Sequence, residues 1–170
     1  ATLTIQPGTM IYGGQDFINN TFGSLVITRG SKIMAEGTAT NPIVFTAEEG
    51  RTRELTLADT SLWGGVIILG RAVLNDAGNP IVQPDNPVTN TREIEGFPSG
   101  EGANITYGGL DDDDNSGVLR YVSIQYGGFE FAQDEEINGL TLGAVGRGTT
   151  IEFVEVFNNS DDGIEFFGGT

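Results

Sequence analysis

The chain has 170 residues, enough for one domain with a real core. Its 8 basic against 24 acidic side chains give a net charge of −16, which argues against nucleic acid and against docking on anionic lipid. No cysteine and no histidine are present, so disulfides and Ser-His-Asp or Cys-His chemistry are excluded within the chain, and a zinc site lacks its usual ligands.

The 26 glycines are roughly twice the usual share and fall at corners between apolar runs. The acid excess reads as a solvated surface that favours solubility and divalent cations. No stretch is apolar and long enough to span a membrane, so membrane insertion is not expected. The chain starts on a strand-like segment, as a mature or trimmed product would.

Strands are predicted over 3–5, 10–12, 24–28, 32–35, 43–46, 65–69 and 72–74, then over 105–107, 119–126, 139–142, 151–157 and 164–167. Each is short, rich in Val, Ile, Leu, Phe and Thr, and bounded by Gly, Asn, Asp or Pro. No convincing helix is present; 48–59 is the best candidate and reads as easily as a polar loop between coils. One phrase recurs: Leu3-Thr-Ile-Gln-Pro-Gly-Thr-Met-Ile, then Leu25-Val-Ile-Thr-Arg-Gly-Ser-Lys-Ile, a 22-residue step. Val66-Ile-Ile-Leu-Gly-Arg-Ala-Val-Leu is a degraded third copy. Such a period is the size of a unit that must stack on its neighbours to bury its apolar face.

The predicted fold is therefore all-β, a parallel β-helix occupying 1–170 as a single domain. A Pro-rich excursion at about 75–104 reads as a loop thrown out from one coil, where solenoids carry function. A β-sandwich is the alternative, but Asn138-Gly139 is the sole Asn-Gly turn signal. The chain ends on a strand without a polar cap, so it is expected to be a segment of a longer solenoid or to meet another chain there.

Four consecutive carboxylates, Asp111, Asp112, Asp113 and Asp114, precede Asn115, Ser116 and Gly117. Such hard oxygen ligands suit Ca²⁺. In one register Asp112, Asp114 and Ser116 take alternate ligand places and Gly117 the turn place. The closing bidentate Glu is missing, since Ser123 stands there, so the loop is not an EF-hand. Asp161, Asp162 and Glu165 form a smaller candidate metal cluster, with an Asn or Asp ladder that caps the turn backbone as the alternative. Trp63, Tyr107, Tyr121 and Tyr126 are candidate sugar-stacking aromatics, core packing being the alternative for Trp63. Phe153, Phe157, Phe166 and Phe167 read as internal stacks.

Three phrases carry a family likeness: Gly30-Ser-Lys-Ile-Met-Ala-Glu-Gly-Thr-Ala-Thr-Asn-Pro-Ile-Val-Phe-Thr-Ala47, Trp63-Gly-Gly-Val-Ile-Ile-Leu-Gly and Asp161-Asp-Gly-Ile-Glu-Phe-Phe-Gly-Gly-Thr. With the Tyr107-Gly-Gly-Leu-Asp-Asp-Asp-Asp block they resemble secreted or surface right-handed parallel β-helix proteins of Gram-negative bacteria, within the pectate-lyase-like superfamily. The resemblance implies secretion or an outer-surface location. It implies an extracellular, non-catalytic structural or binding module, with Ca²⁺ as candidate cofactor and polysaccharide or a cell-surface protein as candidate partner. A calcium-dependent polysaccharide lyase or hydrolase is the alternative, in which Arg120 or Arg147 would be the base. A third reading is a fibre subunit, with further solenoid chain or copies of itself at its open ends.

Overall fold

Ten short strands wind the chain into stacked coils in a computed structural model. It describes all residues except 17, 19–20, 77–78, 81–89, 98–101 and 133–134. The strands are β1 (Thr2–Ile5), β2 (Met10–Gly13), β3 (Leu25–Ile27), β4 (Lys32–Glu36), β5 (Ile43–Ala47), β6 (Val66–Leu69), β7 (Gly117–Gln125), β8 (Leu140–Gly143), β9 (Thr150–Phe157) and β10 (Ile164–Phe167). Short antiparallel hairpins decorate the loops between them. Among the described residues no helix is long and apolar enough to cross a membrane.

All pairing among these ten strands is parallel, and each pair links one coil to the next. Three faces result. β1, β4 and the first halves of β7 and β9 form one. β2, β5 and the second halves of β7 and β9 form the next. β3, β6, β8 and β10 form the third. The fold is a parallel β-helix.

Register makes like residues stack. Ile5, Ala35, Leu119 and Ile151 form one inner row, and Ile11, Phe45, Ile124 and Val156 form another. On the third face Leu25, Val66, Leu140 and Ile164 do the same. Apart from Ile164, which is exposed on the last coil, these rows meet in one apolar core. Trp63 belongs to it: the residue is 2% exposed, and its Nε1–H donates to the Gln125 carbonyl at 2.7 Å.

The strand forecast holds except at 72–74, which is not a strand. The recurrent phrase has a different meaning from the one expected. Leu3 lies on the first face and Leu25 on the third, and their stacking partners are Ile33 and Val66. What the two copies share is a strand that runs into a tight turn with glycine at positive φ, Gly8 at 76° and Gly30 at 81°. In both turns the fourth residue donates to the first, Thr9 to Gln6 and Ser31 to Thr28. The 22-residue step thus measures turn chemistry rather than one coil.

Alternation also breaks where the chain rounds a corner. Tyr121 and Phe153 adopt φ of 48° and 54°. That kink resets the in-out pattern, so Glu152 and Glu155, three apart in sequence, both face out.

The excursion between β6 and β7 folds back. Leu74, Ile94, Ile105 and Tyr107 pack with Ile67 and Leu69 on the outer side of the third face, making a second apolar core. A hairpin of Arg92–Glu93 with Thr106–Tyr107 anchors it. The Pro-rich part at 81–89 lies outside the described residues, so its reading as a projecting loop rests on sequence.

Close coil spacing needs glycine. A Cβ at Gly117, whose φ is 111°, would fall on the Ile33 carbonyl oxygen, whereas Gly102, at 59°, has nothing within 4 Å. Gly102→Ala therefore costs about 1 kcal/mol, from the left-handed backbone alone. Gly117→Ala costs about 3 kcal/mol, because overpacking is added to backbone strain. Urea unfolding of the two variants checks the difference.

Candidate functional site

The acidic run lies at the corner that leads into β7, and the fold uses it as a fastener. Asp114 is buried and accepts from the Ser116 hydroxyl at 3.2 Å and the Arg71 N–H at 3.3 Å. Asp112 accepts from the Val73 N–H at 3.1 Å. Asn115 accepts from the Gly117 N–H at 2.9 Å, closing the turn. Arg147 lies 3.2 Å from Asp113 and 3.8 Å from Asp112. Asp111 and Asp113 stay exposed. Asp112 and Asp113 share Arg147 while Asp114 turns inward, and among the described residues no group of three acidic side chains converges to hold a metal ion.

The second acidic cluster sits on the last coil. Asp161 and Asp162 are exposed, and their carbonyls accept from the Asn159 side-chain amide at 3.1 and 2.9 Å. This is the capping of turn backbone by an asparagine. Glu165 faces outward on the third face, half-buried, and accepts from the Asn138 amide. Burial pushes the Glu165 carboxyl above the usual carboxylate range. The Asn138 hydrogen bond opposes that rise, and the charges of Asp162 and Asp161 add to it.

The candidate aromatics divide. Trp63 and Tyr107 are 2% and 7% exposed, with Tyr107 edge-on to Phe167 at 6.1 Å. Both are packing residues, since no ring face is left for a ligand. Tyr126 meets Phe157 edge to face at 5.7 Å. Tyr121 lies flat on Phe153, with ring centroids 4.5 Å apart and planes 7° from parallel. Phe153 is 66% exposed. The expectation of internal phenylalanine stacks fails for Phe153 and Phe157, which face outward, and for Phe167, which packs in the outer core. Phe166 continues the inner row of Ile27, Ile68 and Leu142, yet is 70% exposed because it lies on the last coil.

Next to the stacked rings, Arg120 stands between two carboxylates of neighbouring coils, 2.9 Å from Glu152 and 3.9 Å from Glu36. All three side chains are more than a third exposed, so each pair is worth about 0–1 kcal/mol. On the adjoining face Ser123 donates to Glu155 at 2.8 Å, and Gln125 donates to Ser123 at 3.0 Å. The outer surface near the first corner is thus a stacked aromatic pair beside an acid-base-acid ladder. Sequence reading missed Phe153. The signal was present in the three-residue spacing of Glu152 and Glu155, which no straight strand allows with both side chains outward.

The Pectate-lyase like beta helix domain family matches residues 1–170. The chain belongs to that family. Membership in the pectate-lyase-like β-helix family agrees with the all-β coil architecture and fits a polysaccharide-related or structural role. No curated protein and no solved structure matches the chain.

Three outcomes follow from the acidic sites. Asp114→Ala leaves a hydroxyl and an N–H without their acceptor and lowers stability by about 1–3 kcal/mol in urea unfolding. Millimolar calcium added to the wild-type chain shifts its Tm by less than about 1 °C, because the described carboxylates do not converge on one ion. For Glu165 the folded carboxyl binds its proton more tightly than the unfolded one, so its contribution worsens as pH rises from the unfolded pKa through the folded one. Glu165→Gln therefore raises the Tm at pH 7 and leaves it unchanged near about pH 4, where the wild-type carboxyl is protonated. Thermal melts at the two pH values measure this.

Proposed function

We propose that the chain is a non-catalytic module of a secreted or surface protein of a Gram-negative bacterium, and that it contacts polysaccharide. The observation that carries this reading is the Tyr121–Phe153 pair, two stacked rings at a corner between two faces, of which Phe153, on the last coil, is 66% exposed. A pyranose ring presents axial C–H groups to such a surface, and hydroxyls at its rim meet the Arg120, Glu36 and Glu152 side chains beside it. Polysaccharide has the extended shape that a repeating, open-sided surface matches.

A second reading has one observation in its favour. Arg120 between Glu36 and Glu152 puts an arginine and two carboxylates on one outer face, the residue types a lyase of this family would use. The guanidinium is occupied by both carboxylates, however, at 2.9 Å from Glu152 and 3.9 Å from Glu36, which opposes a role as base. The non-catalytic reading is therefore the better supported one.

Affinity electrophoresis in gels cast with neutral and acidic polysaccharides, with and without calcium, tests both. The expected result is retardation in at least one gel, weakened about tenfold by Phe153→Ala, the loss of one stacking contact. Retardation that disappears on chelation would bring calcium into the contact. Local clearing of the polymer would move the assignment to a lyase or hydrolase. No retardation in any gel would overturn the polysaccharide reading.

A further inference from the structure

Arg51, Arg53, Arg120 and Arg147 each stand within ion-pair distance of a carboxylate. Among the described residues Arg29, Lys32 and Arg71 do not, although the chain has 24 acidic side chains for 8 basic ones. All three belong to one corner, where the third face passes into the first. Arg29 and Lys32 flank the turn between β3 and β4, and Arg71 follows β6 one coil along.

Main chain, not acid, lies against the two guanidinium groups. Arg29 Nε–H donates to the Gly108 carbonyl at 2.6 Å. Its Nη2 lies 3.2 Å from where a Cβ on Gly109 would stand. The Arg71 guanidinium rests against Gly30, where any Cβ would collide with it. Glycine at 30 and 109 is therefore what lets the two cations lie close to the main chain.

The nearest acids in the fold touch Arg71 through its main chain alone. Asp111 N–H donates to the Arg71 carbonyl at 2.9 Å, and Arg71 N–H donates to Asp114. The Arg71 side chain is exposed. Within the turn, Ser31 N–H donates to the Thr28 carbonyl at 2.8 Å, which leaves the N–H groups of Arg29 and Gly30 without an acceptor among the described residues. The hydroxyls of Thr28 and Ser31 are 3.1 Å apart and share one hydrogen bond, so one hydroxyl proton remains to donate.

We propose that this corner is an oxyanion site that takes one carboxylate, sulfate or phosphate group between Arg29 and Arg71, with the turn N–H groups as further donors. Guanidiniums and main-chain N–H groups are the donors that such a group takes. In a chain of net charge −16, long-range attraction does not bring the anion; short-range, directional donors hold it. The site is on a different corner from Tyr121 and Phe153 and does not rest on the polysaccharide reading.

The test is an NMR titration of the whole chain that follows the arginine Nε–H signals and the Gly30 amide. Sodium sulfate, inorganic phosphate and glucuronate are added in separate arms, each against sodium chloride at matched ionic strength. Saturable shifts at Arg29, Arg71 and Gly30 with at least one oxyanion, absent with chloride, are expected. Saturation by sulfate and phosphate assigns a tetrahedral group; saturation by glucuronate alone assigns a carboxylate. Arg71→Gln, at an exposed side chain, weakens binding about tenfold or more, and Arg51→Gln leaves it unchanged. Shifts that never saturate, shifts that chloride reproduces, or wild-type affinity in Arg71→Gln would overturn the site.

Discussion

Every strand of the coil takes its hydrogen bonds from the coil above or below, and that parallel ladder decides almost everything else about the molecule. The bonds at strand starts show the repetition: Leu25 N–H to the Gly65 carbonyl at 3.0 Å, Val66 to Gly139 at 3.0 Å, Leu140 to Gly163 at 3.0 Å. A ladder of this kind fixes register, because a one-residue slip would turn the inner rows outward. It also fixes spacing, so a corner that meets its neighbour too closely must be glycine, as at Gly117. Corners that are not glycine accept left-handed backbone at matched positions, Tyr121 above Phe153 and Tyr126 above Asn158. Stacking sustains these strained residues, since each is held by its partners in the ladder.

The same register acts on the outside. Side chains one coil apart lie close, so the surface is made of short columns: tyrosine on phenylalanine, arginine between glutamates, serine on glutamate. Opposite charges in adjacent coils relieve repulsion that a chain of this charge would otherwise concentrate along a column. Because the interior is filled by Ile, Val, Leu and Phe, chemistry is left to outer columns and corners. The aromatic corner and the corner that holds Arg29 and Arg71 are both products of that arrangement.

The three faces are not equivalent. The third is covered by the excursion, which brings its own apolar residues and makes Ile67 and Leu69 part of a second core. The acidic run then ties the end of that excursion to the coil through Asp112 and Asp114. A segment that composition marks as a protruding loop is in its described parts a lid over one face, and the corner between the other two faces remains open.

The apolar runs, the glycine corners and the absence of histidine and cysteine were legible without coordinates, and they settled the all-β solenoid and removed whole classes of catalysis. Those are local facts: period-two hydrophobicity and turn chemistry belong to a few adjacent residues. Tertiary structure alone decided which runs stack. Leu3 sits over Ile33 and Leu25 over Val66, because coil length is set by loops whose sequences carry no period. It decided that Trp63 and Tyr107 are packing residues while Phe153 is exposed, since an aromatic side chain looks the same in sequence whether its ring faces in or out. It decided too that Arg29 and Arg71, 42 positions apart in the chain, share one corner, while Asp112 and Asp114 of the neighbouring acidic run are turned to main-chain N–H groups and the Ser116 hydroxyl. Proximity between coils is a property of the closed ladder, and no local pattern encodes it.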